Sequence, residues 1–386
     1  MTDTTVSTAR SIAFCCPDLN ASDIERVLEA LRAGALGGNG RITHRVQQRL
    51  SQLTGASHVL LTTSCSHALE LAMLVLDIGP GDEVIMPSFA FVSAATAVVR
   101  QGARPVFAEI DAATFNLDPE DVARRLNART RAILPVHYAG QGCRMDALMT
   151  LAATHGIWVV EDAAQGIGAS YAGQPLGTIG HIGCYSFHVT KNIIAGEGGA
   201  FLTNDPCIAR RAEIIREKGT NRTSFLRGEV DKYTWVDVGS SFVPSDLLAA
   251  LLDAQLDRLE AITRRRVALW RRYHAGLADL EAAGQIVRPG LDPKAQINGH
   301  IYALRVDPDR RDALLTALRQ RGIEATFHFV PLHSSPYGCQ KLGYRPGDLP
   351  ITEQVAASLI RLPLHSQMDE ADVDYVVEQL RQVLKG

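Results

Sequence analysis

The sequence has few of the features that mark membrane proteins or nucleic-acid-binding proteins. Its 386 residues are 6% aromatic, and 39 lysines and arginines nearly balance 42 aspartates and glutamates, for a formal net charge of −3. This charge gives no electrostatic reason to expect nucleic acid or an anionic membrane as a partner. The apolar runs are much shorter than a membrane span, and residues 1–5 lack the basic segment of a signal peptide. We therefore expect neither a membrane nor a nucleic acid as a partner.

Cysteine is also sparse, and it follows no pattern typical of metal binding or disulfide frameworks. The seven cysteines are an odd number, and no two have CxxC spacing. The sequence therefore predicts neither a zinc site nor disulfides, and a reducing cytoplasm is the expected location. His328 and His333 flank a four-residue segment, but no third ligand lies at a suitable spacing. We expect no metal.

Short apolar segments alternate with helical patterns over about the first 255 residues. This alternation predicts a parallel sheet with helices on its faces. The predicted strands are 59–63, 83–88, 105–110, 132–138, 157–160 and 184–187. The pattern from residue 245 predicts a long helix, and the remaining chain predicts strands at 301–306 and 326–330 and helices at 311–319 and 369–384. Because the chain exceeds the usual size of a single core, we predict two domains, 1–255 and 256–386.

An acidic residue and a lysine occupy two strand ends in the middle of the chain. Asp162 ends one predicted strand, and Lys191 follows the next one, just before a glycine-rich turn at 196–199. This pair suits pyridoxal phosphate, since a lysine can bind the cofactor covalently and an acid can keep its ring nitrogen protonated. Taken alone, Asp162 could instead be a helix cap and Lys191 a solvated surface residue.

A helix beginning after Ser64 offers a second element of such a site. The unpaired N–H groups and the positive end of a helix dipole attract phosphate groups. The simpler alternative is that Ser64 only caps this helix.

The segments 161–165, 186–191 and 196–199, in that order, resemble the DegT/StrS family of nucleotide-sugar aminotransferases. The resemblance covers nearly the whole chain. It implies an α/β fold, the type I fold of pyridoxal-phosphate-dependent transferases, which resembles aspartate aminotransferase. The large domain would contain a mostly parallel seven-stranded sheet, and the C-terminal domain would be a smaller α+β unit. The resemblance also implies pyridoxal 5′-phosphate as cofactor and a homodimer with its active sites at the interface.

The resemblance assigns roles to particular residues around the cofactor ring. It implies that Lys191 is the catalytic residue, which binds the cofactor covalently and moves the proton during the reaction. Asp162 would hold the ring nitrogen protonated, Gln165 would contact the ring hydroxyl, and Phe91 would stack on the ring.

Further roles concern the cofactor phosphate and the substrate. By the same resemblance, Cys65, Ser66 and Ser186 would bind the phosphate, and His328 and His333 would contact the nucleotide sugar. Many family members have an asparagine near the position of Val243. That asparagine contacts the cofactor phosphate bound in the partner subunit. This chain departs from that pattern, and Ser240 or Ser241 could supply the contact instead.

Three segments, 231–235, 239–241 and 331–333, resemble one branch of the family. That branch uses glutamate to aminate dTDP-4-keto-6-deoxyglucose at C4, giving dTDP-4-amino-4,6-dideoxygalactose for surface polysaccharides. The alternatives are amination at C3, C4 amination with the opposite stereochemistry, or a non-catalytic regulatory protein. Lys191 argues against the regulatory protein, and also against the related sugar dehydratases, which have histidine at the matching position.

Overall fold

The structure is a computed structural model that describes residues 10–385. Its strands in chain order are β1 (His58–Thr62), β2 (Glu83–Pro87), β3 (Arg104–Ala108), β4 (Thr130–Ile133), β5 (Trp158–Asp162), β6 (Ser170–Tyr171), β7 (Gln174–Pro175), β8 (Ile182–Ser186), β9 (Gly199–Thr203), β10 (Ala295–Gln296), β11 (Tyr302–Arg305) and β12 (Leu359–Leu362). Seven of them form the main sheet, in the order β1-β9-β8-β5-β4-β2-β3. Only β9 runs antiparallel to its neighbours. The predicted α/β fold with a mostly parallel seven-stranded sheet is confirmed.

Helices cover both faces of this sheet. In chain order they are α1 (Ala21–Arg32), α2 (Arg41–Thr54), α3 (Cys65–Val75), α4 (Ser93–Arg100), α5 (Pro119–Arg125), α6 (Met145–His155), α7 (Pro206–Arg216), α8 (Arg222–Leu226), α9 (Asp246–Leu256), α10 (Leu259–Gly276), α11 (Ala278–Ala282), α12 (Pro308–Gln320), α13 (Pro336–Leu342), α14 (Pro350–Ser358) and α15 (Glu370–Lys385). One apolar cluster packs α3, α4 and α7 against the strands, while α1, α2 and α9 belong to another. Because both faces are covered, the central strands are apolar almost throughout, as in other parallel sheets.

The long helix predicted from residue 245 is two helices, α9 and α10. The chain breaks between them at Asp257 and Arg258. No helix among residues 10–385 is long and apolar enough to cross a membrane.

A separate apolar cluster forms around the two-stranded sheet of β11 and β12. It unites α10, α12 and α15 with these strands and also includes Ile12 from the start of the chain. The prediction of a strand at 326–330 is wrong: only Thr326 pairs, with Arg361 of β12. Pro331 has no N–H for a strand ladder, and the chain turns away so that Leu332 donates its N–H to the carbonyl of Ser88. The domain boundary near residue 255 stays a prediction.

Candidate active site

A cavity of about 560 Å³ opens at the carboxyl ends of β5 and β8. Such strand ends are where open α/β sheets bind ligands. Every site residue expected from the sequence except His333 lines this cavity: Cys65, Ser66, Phe91, Asp162, Gln165, Ser186, Lys191 and His328. The cavity therefore unites residues that lie far apart in the sequence.

Asp162 is the last residue of β5, and within residues 10–385 its carboxylate has a single hydrogen-bond donor. Its side chain is 5% exposed, and one oxygen accepts a hydrogen bond from the N–H of Ala164 at 3.1 Å. Burial raises the pKa of Asp162, although the positive charge of Lys191 opposes this shift. A buried carboxylate that accepts so few hydrogen bonds is suited to bind a ligand with a protonated nitrogen, which would offset its loss of hydration. The pyridine nitrogen of pyridoxal phosphate is such a group.

Lys191 lies in the loop between β8 and β9. Within residues 10–385 its ammonium group has no hydrogen-bond acceptor and no carboxylate within 4.0 Å. Burial lowers the pKa of Lys191, while the negative charge that Cys65 and Asp162 can carry opposes the shift. A lower pKa increases the fraction of neutral amine, the form that attacks a carbonyl.

The first turn of α3 lies at the end of the cavity where the sequence predicts phosphate binding. Ser64 caps the helix by accepting the N–H of His67 at 3.1 Å, so the capping interpretation also holds. The N–H groups of Cys65 and Ser66 have no partner within the described chain. The thiol of Cys65 donates to the carbonyl of Cys184 at 3.6 Å, so the backbone N–H of Cys65 is the group left for a ligand.

Two neighbouring features complete this anion site. Ser186 adds a hydroxyl from the end of β8. Gly199 begins β9 directly beside α3, and a Cβ at that position would collide with the backbone of Ser64. Glycine therefore allows the strand to approach the helix start. The backbone N–H groups and hydroxyl fit a phosphate group.

Gln165 and Phe91 stand beside the space for the ring. The side-chain oxygen of Gln165 accepts the N–H of Ala139 at 2.6 Å, which leaves its NH₂ group available as a donor. Phe91 is 60% exposed and lies 6.4 Å from Phe329, measured between ring centroids. Both side chains suit the expected contacts with the ring hydroxyl and the ring face.

The two histidines expected at the substrate lie in different environments. His328 lines the cavity, and its Nδ1 lies 3.1 Å from the hydroxyl of Tyr138. Burial and the nearby charges of Arg361 and Lys191 lower the pKa of His328 to about 2, so its ring is neutral at physiological pH.

His333 does not face the cavity, contrary to the expectation from the sequence. Its side chain is fully buried, and its two ring nitrogens lie 2.7 Å from the hydroxyl of Ser88 and 2.7 Å from the carboxylate of Glu353. Because both nitrogens bond within the protein, neither is available to a substrate. No cluster of three or more potential metal ligands occurs in the described part of the chain.

Several other cavity residues were not expected from the sequence. Arg266 belongs to a run of three arginines that predicts a solvated surface, yet Arg266 is 5% exposed and lines the cavity. Arg361 and His300 line it as well. Asn192, which directly follows Lys191, bonds to His300 at 2.8 Å and to the carbonyl of Asn298 at 3.1 Å. These bonds fix the position of the backbone beside Lys191. Only the location of Asn192 beside Lys191 could have indicated its role.

Within the described residues, an unpaired lysine, a buried acid and a helix start that fits phosphate are the arrangement expected of a pyridoxal-phosphate-dependent enzyme. The profile of the DegT/DnrJ/EryC1/StrS aminotransferase family matches residues 17–381. The chain belongs to this family and is a pyridoxal-phosphate-dependent sugar aminotransferase.

Named relatives cover nearly the whole chain. The spore coat polysaccharide biosynthesis protein SpsC of Bacillus subtilis is 33% identical over 383 residues, 97% of each chain. DesV of S. venezuelae, solved with a ketimine intermediate, is 33% identical, with a TM-score of 0.86 over 95% of both chains. The putative sugar aminotransferase Spr1654 of Streptococcus pneumoniae, in its PMP form, is 27% identical, with a TM-score of 0.89 over 97% of this chain and 98% of its own.

Proposed function

We propose that this enzyme transfers the amino group of glutamate to C4 of dTDP-4-keto-6-deoxyglucose, giving dTDP-4-amino-4,6-dideoxygalactose. The observation that carries the proposal is the resemblance of segments 231–235, 239–241 and 331–333 to the branch with this activity. The polysaccharide role in the name of SpsC is compatible with such a product. We further propose a cytoplasmic homodimer with two domains, 1–255 and 256–386.

The residues of the cavity have separate roles in transamination. Bound pyridoxal phosphate supplies a ring that accepts electrons from the carbon that loses a proton. Asp162 holds the proton on the ring nitrogen, which strengthens that capacity. Lys191 binds the cofactor carbonyl and, once released, carries a proton between the cofactor carbon C4′ and sugar C4. Its lowered pKa keeps part of the lysine in the basic form that this task requires.

The other cavity residues hold the reacting groups in place. The N–H groups of Cys65 and Ser66, with the hydroxyl of Ser186, hold the phosphate, and Gln165 and Phe91 fix the ring. His328, which is neutral and bonded to Tyr138, offers a contact to the sugar. A fixed geometry of this kind supplies much of the rate enhancement.

Exposed apolar residues near Ser240 and Ser241 support the proposed dimer. Tyr233, Trp235 and Val236 are all exposed, Trp235 by 78%. Contiguous exposed apolar side chains are typical of protein interfaces. Ser240 and Ser241 are themselves exposed and do not line the cavity of their own chain, as the proposed contact with the partner's phosphate requires.

The identity of the product tests the proposed function. Purified holoenzyme would be incubated with glutamate and a panel of dTDP- and UDP-linked keto sugars, and the products assigned by NMR. We expect dTDP-4-keto-6-deoxyglucose to react best, with a small coupling between H3 and H4 that marks the axial amine of the galacto product. A large coupling indicates the gluco epimer, and amination at C3 a different branch; either result contradicts the proposal while leaving the enzyme class intact.

A further inference from the structure

A buried tyrosine contacts His328 behind the wall of the cavity. Tyr138 is 1% exposed and does not line the cavity, and its hydroxyl lies 3.1 Å from Nδ1 of His328. Within residues 10–385 this nitrogen is the only hydrogen-bond partner of the hydroxyl. The tyrosine ring packs at centroid distances of 5.2, 5.9 and 6.2 Å against Phe89, Phe115 and Phe329. These contacts hold the ring in place, and the hydroxyl with it.

The contact with Tyr138 determines which nitrogen of His328 carries the proton. Burial raises the pKa of Tyr138, although the charge of Arg361 opposes this shift, so the hydroxyl keeps its hydrogen at neutral pH. A guanidinium cannot accept a hydrogen bond, which leaves Nδ1 of His328 as the acceptor for that hydrogen. Because the ring of His328 is neutral, its single N–H proton then lies on Nε2. The opposite tautomer would leave the buried hydroxyl hydrogen of Tyr138 unpaired, which is unfavourable.

The Nε2–H group of His328 is therefore a hydrogen-bond donor available to a ligand. His328 lines the cavity, and its Nε2 has no partner in residues 10–385. After burial and the charge of Arg361, the charge of Lys191 also contributes to the low pKa of His328, so His328 and Lys191 lie in the same part of the cavity. A carbonyl oxygen only accepts hydrogen bonds, whereas the ammonium group that replaces it in the product only donates them. A fixed N–H donor can distinguish the two.

We propose that Tyr138 fixes His328 as an Nε2–H donor, and that this donor binds the keto oxygen of the sugar and not the amine of the product. The inference rests on the proposed function, which makes a keto sugar the substrate and an amino sugar the product. Tyr138 is a positioning residue, because it acts through His328. The arrangement favours binding of the substrate over binding of the product, and the hydrogen bond polarises the carbonyl group that is to be aminated.

Tyr138→Phe tests the proposal, because it removes the hydroxyl and keeps the ring. On amino-loaded holoenzyme, single-turnover kinetics would give the half-saturating concentration of the keto sugar, and competition would give the inhibition constant of the amino sugar. In Tyr138→Phe we expect the keto-sugar value to rise roughly 3- to 10-fold, the effect of one neutral hydrogen bond. The amino sugar should bind at least as tightly as to the wild type, because both tautomers of His328 become accessible. An unchanged keto-sugar value, or equal weakening of both sugars, overturns the proposal.

A matched tyrosine and a double variant provide the controls. The hydroxyl of Tyr375 donates to the carbonyl of Arg321 at 3.0 Å, outside the cavity. Tyr375→Phe removes a bond of similar length and should leave both sugar constants unchanged. Because Tyr138 acts through His328, adding Tyr138→Phe to His328→Gln should weaken keto-sugar binding no further than His328→Gln alone. A fully additive loss in the double variant would show that Tyr138 acts by another route and overturns its positioning role.

The tautomer of His328 can be measured directly, without turnover. Long-range ¹H–¹⁵N NMR of holoenzyme labelled at histidine, with His328 identified by the signal that His328→Gln lacks, should show a protonated Nε2 in the wild type and a mixture of tautomers in Tyr138→Phe. A proton on Nδ1 in the wild type, or an unchanged tautomer in Tyr138→Phe, overturns the proposal.

Neutron diffraction from deuterated wild-type crystals covers the case in which the variants fail to fold. We expect deuterium on Nε2 of His328 and between the hydroxyl of Tyr138 and Nδ1; deuterium bonded to Nδ1 overturns the proposal. The proposed function fails separately, when the wild-type enzyme has the expected tautomer but does not aminate dTDP-4-keto-6-deoxyglucose.

Discussion

Two adjacent acidic residues of β5, Glu161 and Asp162, occupy opposite chemical environments. Glu161 is fully buried, and its carboxylate accepts the backbone N–H groups of Gly177, Ile179 and Gly180 at 2.8, 2.7 and 2.6 Å. It also lies 2.7 Å from Nε2 of His137. Asp162 lines the cavity, and in the described part of the chain its carboxylate has one backbone donor, the N–H of Ala164.

The difference separates a structural carboxylate from a functional one. The Nδ1 of His137 accepts the N–H of Cys143 at 3.1 Å, so its Nε2 carries the proton that it donates to Glu161. Glu161 therefore joins β4, β5 and the segment before β8 with all its hydrogen bonds made. Asp162 keeps an unused oxygen for a ligand. The free-energy penalty of burying a carboxylate is small only when hydrogen-bond donors surround it. A buried carboxylate that lacks such donors and lies next to a cavity therefore indicates a binding role.

The largest effect should come from removing the lysine on the cavity side. Lys191→Ala should reduce transamination by at least about 10³-fold, because the covalent attachment and the proton transfer are both lost. The measurement is turnover with glutamate and a keto sugar. In the wild type, borohydride reduction and peptide mapping should place the pyridoxyl group on Lys191. A label on Lys218 or Lys232 would contradict the assignment.

The two acids should respond differently to the same change, from carboxylate to amide. Asp162→Asn should slow transamination by about 10²- to 10³-fold, because the amide cannot hold the ring nitrogen protonated. Burial raises the pKa of Asp162, so any stabilisation from this group is present below its unfolded pKa and is lost as the pH rises. At pH 7 the cofactor-free variant should therefore melt at the same temperature as the wild type or higher. Near-normal turnover would mean that Asp162 is only a turn residue.

Glu161→Gln should act mainly on stability. In the variant, the NH₂ group of the glutamine would replace a carboxylate oxygen and face backbone N–H donors, which need an acceptor. We expect this to lower the free energy of unfolding by about 3 kcal/mol. Denaturant unfolding would measure this loss. Any folded fraction should keep the absorption of bound cofactor. A stable Glu161→Gln enzyme with strongly reduced turnover would reverse the roles of the two acids.

The two histidines extend the same comparison with smaller effects. His328→Gln should raise KM for the keto sugar by about tenfold, with stability nearly unchanged, because His328 faces the cavity. His333→Gln should leave KM unchanged and lower the free energy of unfolding by about 1–2 kcal/mol, since it disturbs the bonds to Ser88 and Glu353. Steady-state kinetics and thermal unfolding of both variants check this pair. If KM rises for His333→Gln and not for His328→Gln, His333 contacts the substrate and the structural role given to it here is wrong.

The sequence by itself determined the alternation of strands and helices, and it indicated two residues of the candidate site whose roles stay predictions. Apolar strands alternating with helices predict a parallel sheet, and the ends of such strands predict where Asp162 and Lys191 meet. These features depend on short stretches of sequence, and local patterns can therefore identify them. The strand predicted at 326–330 does not form, because Pro331 has no N–H for a strand ladder and the chain turns away towards Ser88. Of its apolar residues, Phe329 lines the cavity and Phe327 and Val330 are exposed, a difference that a local pattern does not reveal.

Only the tertiary structure decided which charged and polar side chains face the cavity. Arg266 is drawn inside by the carbonyls of Gly299, His300 and Leu364, more than thirty residues away in sequence, and Arg361 is stacked on Phe14. His333 is held outside the cavity by its bond to Ser88, 245 residues distant. The state of a charged or polar side chain depends on the groups that replace water around it, and distant parts of the chain supply those groups.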